Sequence, residues 1–195
     1  MYNVGQISHI HNGPERKSFK GNNSNVLGGK RGSLIRLIII GGLIIGTLHL
    51  LLEYLIVFDF LYKIPFISTL QYIASGALGS AVYKGGLASA LLGLVFHYLI
   101  AFVIAAVFIL GANKIPLLRR YAISASLLFG VAAFFVMNFI VMPLSAAPKV
   151  QFTSFSLIEA IIDHALTIGL PLGILIWRNA HAVHAADPIK LPSMP

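Results

Sequence analysis

The chain of 195 residues contains no cysteine, which excludes disulfide bonds, thiolate nucleophiles, zinc–thiolate sites and iron–sulfur clusters. Charge is also scarce: Asp, Glu, Lys and Arg make up 10% of the chain, compared with about 25% in an ordinary soluble domain. Hydrophobic residues, by contrast, make up 57% and fall in long unbroken runs. Such runs face lipid or one another rather than water, so we predict an all-α membrane protein whose main partner is the lipid bilayer.

The local motifs of soluble enzymes are missing as well. The sequence has no Walker loop, no dinucleotide fingerprint and no HExxH metal motif. Its glycine pairs, Gly41-Gly42 and Gly85-Gly86, lie within or beside apolar runs instead of between a strand and a helix, where a phosphate loop is found. We therefore predict no catalytic residues, no cofactor, no metal ion and no enzymatic activity.

Four apolar runs follow a polar N-terminal stretch, and each is close to the ~20 residues that cross ~30 Å of hydrocarbon. The runs cover residues 34–57, 87–110, 122–142 and 157–177. The first run is too long for the core of a signal peptide, so we expect it to stay as a membrane anchor. The predicted parts are a disordered cytoplasmic tail, a four-helix transmembrane domain and a second cytoplasmic tail, at residues 1–33, 34–178 and 179–195.

The distribution of lysine and arginine indicates the orientation of these helices. One side of the predicted bundle carries only Lys63, Lys84 and Lys149, and the rest of the 14 basic residues belong to the other side or to the tails. The positive-inside rule then places both termini in the cytoplasm. Since topology also explains the net charge of +8, we predict no nucleic-acid partner.

The long loop between the first and second runs contains a short apolar stretch of its own. Residues 68–83 read as a short helix interrupted by Gly76 and Gly79. We predict that this helix lies at the membrane interface or re-enters the membrane from outside.

Small residues recur at helical spacing within the runs and predict close helix packing. In the second run they recur every four residues, around His97. The candidate packing residues are Gly42, Gly46, Ser89, Gly93, Ala101, Gly169 and Gly173. If the chain forms a homo-dimer, the second-run stripe or the Gly169–Gly173 pair offers the contact surface.

Ionisable and amide side chains inside the runs form the candidate site. With an advance of about 1.5 Å per residue, His49 lies roughly 20 Å from the cytoplasmic end and His97 lies near the midplane. The full set is His49, Glu53, His97, Asn138, Glu159, Asp163 and His164. All seven fall in the centre or outer half, so we predict a polar pocket that opens toward the external side.

Charged side chains are costly inside a membrane and normally have partners there. We expect His49 to pair with Glu53 one turn away, and Asp163 to pair with His97 or His49 across helices. Such pairs can relay protons or bind a cation, and histidine responds to pH near neutrality. The alternatives are that these groups only fix helix packing, that Glu53 and Glu159 extend to the interface, or that the three histidines bind a metal.

Several short segments resemble the YagU-like family, a group of functionally uncharacterised bacterial four-helix inner-membrane proteins. They are residues 46–48 (GTL), 71–76 (QYIASG), 97–102 (HYLIAF) and 137–146 (MNFIVMPLSA), followed by Glu159, His164 and 169–171 (GLP). The resemblance covers about residues 37–178 and implies an inner-membrane location and a part in stress or acid tolerance. The family pattern has an aspartate where this chain has His49, so the resemblance assigns no ionisable role to that position.

These residues and patterns favour two functional hypotheses. The first is a non-enzymatic membrane protein that senses or tolerates external stress such as acid through its His and carboxylate residues. The second is a small proton- or cation-linked transporter, which with only four helices is expected to act as a homo-dimer. An intramembrane metal-dependent enzyme is a third alternative.

Overall fold

The computed structural model describes residues 23–149 and 151–186, and every regular element within them is helical. Four helical stretches are long and apolar enough to cross a membrane: Gly32–Leu55, Gly86–Lys114, Ala122–Leu144 and Ser154–Ala180. The prediction of an all-helical chain with four such helices is confirmed at the level of length and composition.

The first half of the described chain consists of three helices with two irregular helical segments between them. They are α1 (Asn23–His49), a π-helical segment (Leu50–Leu61), α2 (Phe66–Leu78), a 3-10 segment (Gly79–Lys84) and α3 (Gly86–Lys114). The second half consists of α4 (Pro116–Arg120), α5 (Ala122–Val136), a π-helical segment (Met137–Val141), α6 (Met142–Leu144), α7 (Ser154–His164), a π-helical segment (Ala165–Gly169) and α8 (Leu170–Ala186).

The helix ends extend beyond the predicted apolar runs. Helix α1 begins at Asn23 instead of residue 34, and α8 continues to Ala186 instead of ending at residue 178. Hydropathy marks only the apolar part of a helix, whereas backbone hydrogen bonding propagates into adjoining polar residues once the helix has formed. Residues 1–22 and 187–195 lie outside the described residues, so the disordered and cytoplasmic character of the tails stays a prediction.

Glycines allow the helices to approach closely. A Cβ on Gly42 or Gly46 would meet the rings of Phe102 or Tyr98 on α3, and a Cβ on Gly93 would overlap the backbone carbonyl of Leu70 on α2. Gly169 and Gly173 approach α5 in the same way, close to Ser126. Backbone contact of this kind is what small residues provide between apolar helices.

The small-residue stripe of α3 is used within a single chain. Ser89, Gly93, Ala101 and Ala105 are all buried, because α2 and α1 both pack against α3. The Gly169–Gly173 pair is buried against α5. Neither surface is therefore free for the dimer contact that the sequence suggested. The sequence could not show this, because hydropathy and spacing do not tell which helix a stripe of small residues meets.

Helix α2 is the short helix predicted in the first long loop. Its 13 residues measure roughly 20 Å, which is too short to cross a bilayer. Gly79 adopts a φ of 69° and ends the helix, whereas Gly76 lies inside it, so the expected interruption at Gly76 is wrong. The carbonyl of Gly76 instead accepts a hydrogen bond from the backbone N–H of Ala146 at 3.0 Å, which ties α2 to the segment after α6.

A capping box fixes the start of α7, which carries three of the candidate site residues. The Thr153 hydroxyl accepts a hydrogen bond from the Ser156 N–H at 3.2 Å, and the Thr153 N–H donates to the Ser156 hydroxyl at 3.0 Å. These reciprocal bonds satisfy backbone donors that the first turn of a helix leaves free. The register of α7 is therefore set locally.

The contact between Gly93 and Leu70 predicts a specific loss of stability. In Gly93→Ala the new methyl group meets backbone, which cannot rotate away, so we expect a loss of about 1–3 kcal/mol in detergent or nanodisc unfolding. The matched control is Gly111→Ala on the same helix, where the Cβ would make only an ordinary contact with the Leu118 side chain at 3.6 Å. Equal stability of the two variants would contradict the close α2–α3 approach.

Candidate functional site

The centre of the site is a hydrogen bond between His49, the last residue of α1, and Asp163 near the end of α7. The His49 Nδ1 lies 2.9 Å from the Asp163 Oδ2, and both side chains are about nine-tenths buried. The Thr167 hydroxyl lies 3.1 Å from the same Nδ1 and donates to the Asp163 backbone carbonyl at 2.9 Å. Of the two partners expected for Asp163, the structure places His49 against it.

His97 and His164 each make a hydrogen bond to a backbone carbonyl. The His97 Nε2 lies 2.8 Å from the Gly46 carbonyl oxygen, and the His164 Nδ1 lies 2.9 Å from the Ala160 carbonyl oxygen. A carbonyl oxygen only accepts, so these two nitrogens carry the protons. In the neutral rings, the His97 Nδ1 and the His164 Nε2 therefore keep free lone pairs. By the same argument the His49 Nδ1 carries a proton, since it faces the Asp163 carboxylate.

Carboxyl groups from two segments complete this cluster. Glu53 is 5% exposed, and its strongest charge interactions are with Asp163 and Glu159. We call His49, Glu53, Glu159, Asp163 and His164 together the His/carboxylate cluster. Because like charges at short range in an apolar setting repel strongly, three neighbouring carboxyl groups are most stable when they share protons or a cation.

Aromatic contacts hold the histidine rings beside one another. The rings of His49 and His97 are nearly parallel, with centroids 6.0 Å apart, and the ring of His164 stands edge-on to His49 at 4.8 Å. Tyr54 makes edge contacts with both His49 and His97. Phe134 of α5 packs against His164 at 5.3 Å. His97 thus touches the cluster through ring packing, not through an ionic bond.

The described residues include three π-helical segments, and each of them contains a residue of the site. One begins directly after His49 and contains Glu53, one begins directly after His164 and contains Thr167, and one contains Asn138. A π-helical turn changes the direction in which the following side chains point, and such turns are frequent at functional sites. The segments therefore rotate Glu53 and Thr167 relative to a regular α-helix.

The cluster lies between a central cavity and a groove on the protein surface. The central cavity has a volume of about 420 Å³, and its lining includes His49, Glu53 and His164. The groove has a volume of about 380 Å³, and its lining includes Glu159 and Asp163 together with exposed apolar residues of α7. Members of the cluster thus face both spaces, a division that sequence spacing did not indicate.

Tyr72 of α2 closes one side of the central cavity. Its hydroxyl donates to the backbone carbonyl of Pro148 at 3.0 Å, which links α2 to the loop before α7. Burial raises the pKa of the Tyr72 phenol above its ordinary value, and the neighbouring Tyr83 raises it further. The phenol therefore stays protonated and keeps donating this hydrogen bond across the physiological pH range.

The structure separates the predicted site residues into two groups. Five form the His/carboxylate cluster and His97 packs against it, whereas Asn138 lines the central cavity and donates to the Phe134 carbonyl at 3.1 Å. Two contributors were not predicted as site residues. Thr167 follows Asp163 at i+4, a spacing that could have indicated it. Tyr54 contacts His97 of another helix, and no local sequence pattern indicates such a contact.

Three side chains of the cluster could in principle hold a metal ion. His49, Asp163 and His164 each offer one ligand atom, and these atoms all lie within 4.8 Å of one another. Ligands on zinc at about 2.0–2.2 Å would have to lie closer together, about 3.4 Å apart in a tetrahedron. The Asp163 Oδ2 already accepts a hydrogen bond from His49, and the His164 Nδ1 donates to the Ala160 carbonyl, so these atoms have partners without an ion.

Comparison with protein-family models, curated proteins and solved structures finds no match to this chain. The resemblance to YagU-like proteins therefore stays a prediction from short sequence segments.

The carbonyl contacts predict the tautomer of each buried histidine. We expect His97 to carry its proton on Nε2 and His164 to carry it on Nδ1, because each of those nitrogens faces a backbone carbonyl. The measurement is the side-chain ¹⁵N–¹H correlation spectrum of ¹⁵N-histidine-labelled protein near neutral pH, assigned with His97→Asn and His164→Asn. The same tautomer at both residues would contradict this arrangement.

Proposed function

We propose that this chain is a multi-pass inner-membrane protein with both termini in the cytoplasm. The proposal is supported by four helices of sufficient length and apolar character and by the concentration of lysine and arginine on one side of the predicted bundle. The large apolar side chains exposed along these helices, such as Val95, Leu99 and Val103 on α3, favour lipid as their surroundings. Helix α2 would then lie on the external side, against α3.

We further propose that the His/carboxylate cluster binds and releases protons and so lets the protein respond to external acid, without enzymatic activity. The observation that carries this proposal is the 2.9 Å contact between His49 and Asp163, which joins two of the long apolar helices through titratable groups. Buried ionisable groups are costly in a membrane, and functional proton sites are a common reason for keeping them there. The stress role agrees with the resemblance to YagU-like proteins.

Protonation would act by changing the charge of the whole cluster. Each proton that the cluster takes up in acid removes a negative charge from a carboxylate or adds a positive charge to an imidazole. The titratable groups facing Asp163 from the surrounding elements are His49 of α1, Glu53 and Tyr54 of the following π-helical segment, and Glu159 and His164 of α7. His97 of α3 faces His49 and Tyr54 instead. A proton taken up at the contact between His49 and Asp163 weakens the attraction that joins α1 to α7, so we expect α7 to loosen from α1 in acid.

Proton- or cation-linked transport is the second candidate function. It is favoured by the position of the cluster between the central cavity and the surface groove, since a transport site must exchange with two separate spaces. Under this proposal the cluster would take up a proton or cation from one space and release it to the other.

The proposed orientation predicts which loops are accessible from outside. The chain has no cysteine, so single cysteines can be introduced without background labelling. We expect Lys149→Cys, in the loop before α7, to react with a membrane-impermeant maleimide on intact cells. Asn113→Cys, at the end of α3, should react only after the membrane is opened. The reverse pattern would show the opposite orientation, and labelling of both from outside would contradict a chain that spans the membrane between them.

The proton-responsive cluster predicts a pH-dependent opening of α7. We expect backbone hydrogen exchange over Ser154–Gly169, corrected for intrinsic rates, to rise at least about tenfold between about pH 7.5 and about pH 5 in nanodiscs. In Asp163→Asn this pH dependence should be lost, because the carboxylate that pairs with His49 is absent. Asp187→Asn, which removes a carboxyl group outside the four apolar runs, is the matched control and should behave like the wild type.

Proton flux into liposomes separates the two candidate functions. Flux across an imposed pH gradient that disappears in Asp163→Asn would favour transport, whereas a pH-dependent exchange response without flux would favour sensing. If the wild type shows neither flux nor a pH-dependent change in exchange, the proton-responsive proposal is wrong and the cluster only fixes helix packing.

A further inference from the structure

Two buried polar atoms among the described residues have no hydrogen-bond partner, and both belong to side chains that line the central cavity. They are the Glu53 Oε2 and the Thr69 Oγ1, on residues that are 5% and 4% exposed. Leaving a buried polar atom unpaired is unfavourable, and more so for a charged group, so such atoms are rare in folded proteins. Their shared location indicates that a polar group of a ligand belongs in this cavity.

The remaining polar groups of the lining show which kind of partner is missing. The N–H groups of His97 and His164 and the amide of Asn138 donate to backbone carbonyls, which leaves a ring nitrogen on each histidine and the amide oxygen as acceptors. The Ser145 hydroxyl likewise donates to the Met142 carbonyl. The lining thus offers mainly acceptors, and a complementary ligand has to bring hydrogen-bond donors.

The charge and shape of the cavity restrict the chemical class of the ligand further. Among the described residues that line it, none is Lys or Arg, and Glu53 supplies the one carboxyl group. Six aromatic side chains form part of its walls: Tyr54, Phe58, Tyr72, Phe96, Phe134 and Phe152. Aromatic faces beside a desolvated carboxylate attract organic cations, and a volume of about 420 Å³ falls in the range of small-molecule sites.

We propose that the central cavity binds a small organic ammonium ion with an apolar body. The ammonium group donates to the Glu53 carboxylate and to the Thr69 hydroxyl, and the apolar part packs against the aromatic walls. A metal ion would leave most of the cavity empty, and a neutral hydrocarbon would leave both unpaired oxygens without a partner. The carboxylate and the hydroxyl come from the segment after α1 and from α2, so the ligand bridges these two elements.

Ammonium binding goes beyond the proton response of the cluster and is tested separately from it. Ligand binding is measured at one constant pH, whereas the response of α7 is measured without ligand as the pH changes. Loss of one therefore does not imply loss of the other. If transport is the function of the protein, the proposal names the class of its substrate.

The test compares two probes that differ only in their polar end. One is 4-phenylbutylamine, an ammonium ion at neutral pH, and the other is pentylbenzene, in which a methyl group replaces the ammonium. Binding to the full chain in nanodiscs is measured by equilibrium dialysis near neutral pH, with empty nanodiscs as the correction for partition into lipid. We expect saturable binding of the ammonium probe and weaker binding of the hydrocarbon.

Three variants locate the binding site. Glu53→Gln should weaken binding of the ammonium probe at least about tenfold, as expected for a charge-assisted hydrogen bond, and leave pentylbenzene binding unchanged. Thr69→Val keeps the side-chain shape and should weaken the ammonium probe several-fold. Ile73→Trp keeps both oxygens but fills the cavity, and it should reduce binding of both probes. Thermal unfolding of each variant confirms that it is folded.

Three results would overturn the proposal. The first is equal affinity of the ammonium probe for the wild type and for folded Glu53→Gln. The second is the absence of saturable binding to the wild type. The third is stoichiometric binding of Zn²⁺ to the wild type, measured by calorimetry, together with a Glu53→Gln variant that loses Zn²⁺ binding but still binds the ammonium probe. Glu53 would then belong to a metal site.

Discussion

The hydrogen bond between His49 and Asp163 is the interaction on which the rest of the site depends. It joins the end of α1 to α7, and it satisfies two titratable side chains that are about nine-tenths buried, where a lost partner is costly. Thr167 completes the pair from the next turn. Breaking a buried pair from one side leaves an uncompensated polar or charged group, which typically costs about 3–5 kcal/mol. The positions of α1 and α7 are therefore coupled through this contact, and any change in its protonation reaches both helices.

Close backbone packing makes that contact reachable. Glycines on α1 allow α3 to approach, and glycines on the segment after α7 and on α8 allow α5 to approach. The helices come near enough for short side chains such as Asp163 and Thr167 to meet His49, while the π-helical segments turn the residues that follow. Packing and chemistry are thus linked, since a methyl group at one of these glycines would push α1, or the helical stretch that continues from α7, away from the helix packed against it.

The two spaces around the cluster give it two distinct sets of neighbours. Carboxyl groups of α7 line the surface groove, and the histidines with Glu53 line the central cavity. A proton that moves within the cluster therefore passes between side chains that face different surroundings. The same division would let one small bundle combine the proposed proton-responsive element with the proposed site for an organic cation, because Glu53 belongs to both.

The sequence alone determined the four apolar helices, the short helix between the first two long ones, and the residues that could take part in a polar site, because hydrophobic run length and small-residue spacing are local properties. Tertiary structure decided the rest. In the folded chain Asp163 pairs with His49, and His97 donates to the Gly46 carbonyl. Gly93 packs against α2 of the same chain and not against a second chain. These outcomes depend on how each helix is rotated about its axis. Rotation follows from contacts between distant residues and from π-helical turns, neither of which a pattern of hydrophobic residues specifies.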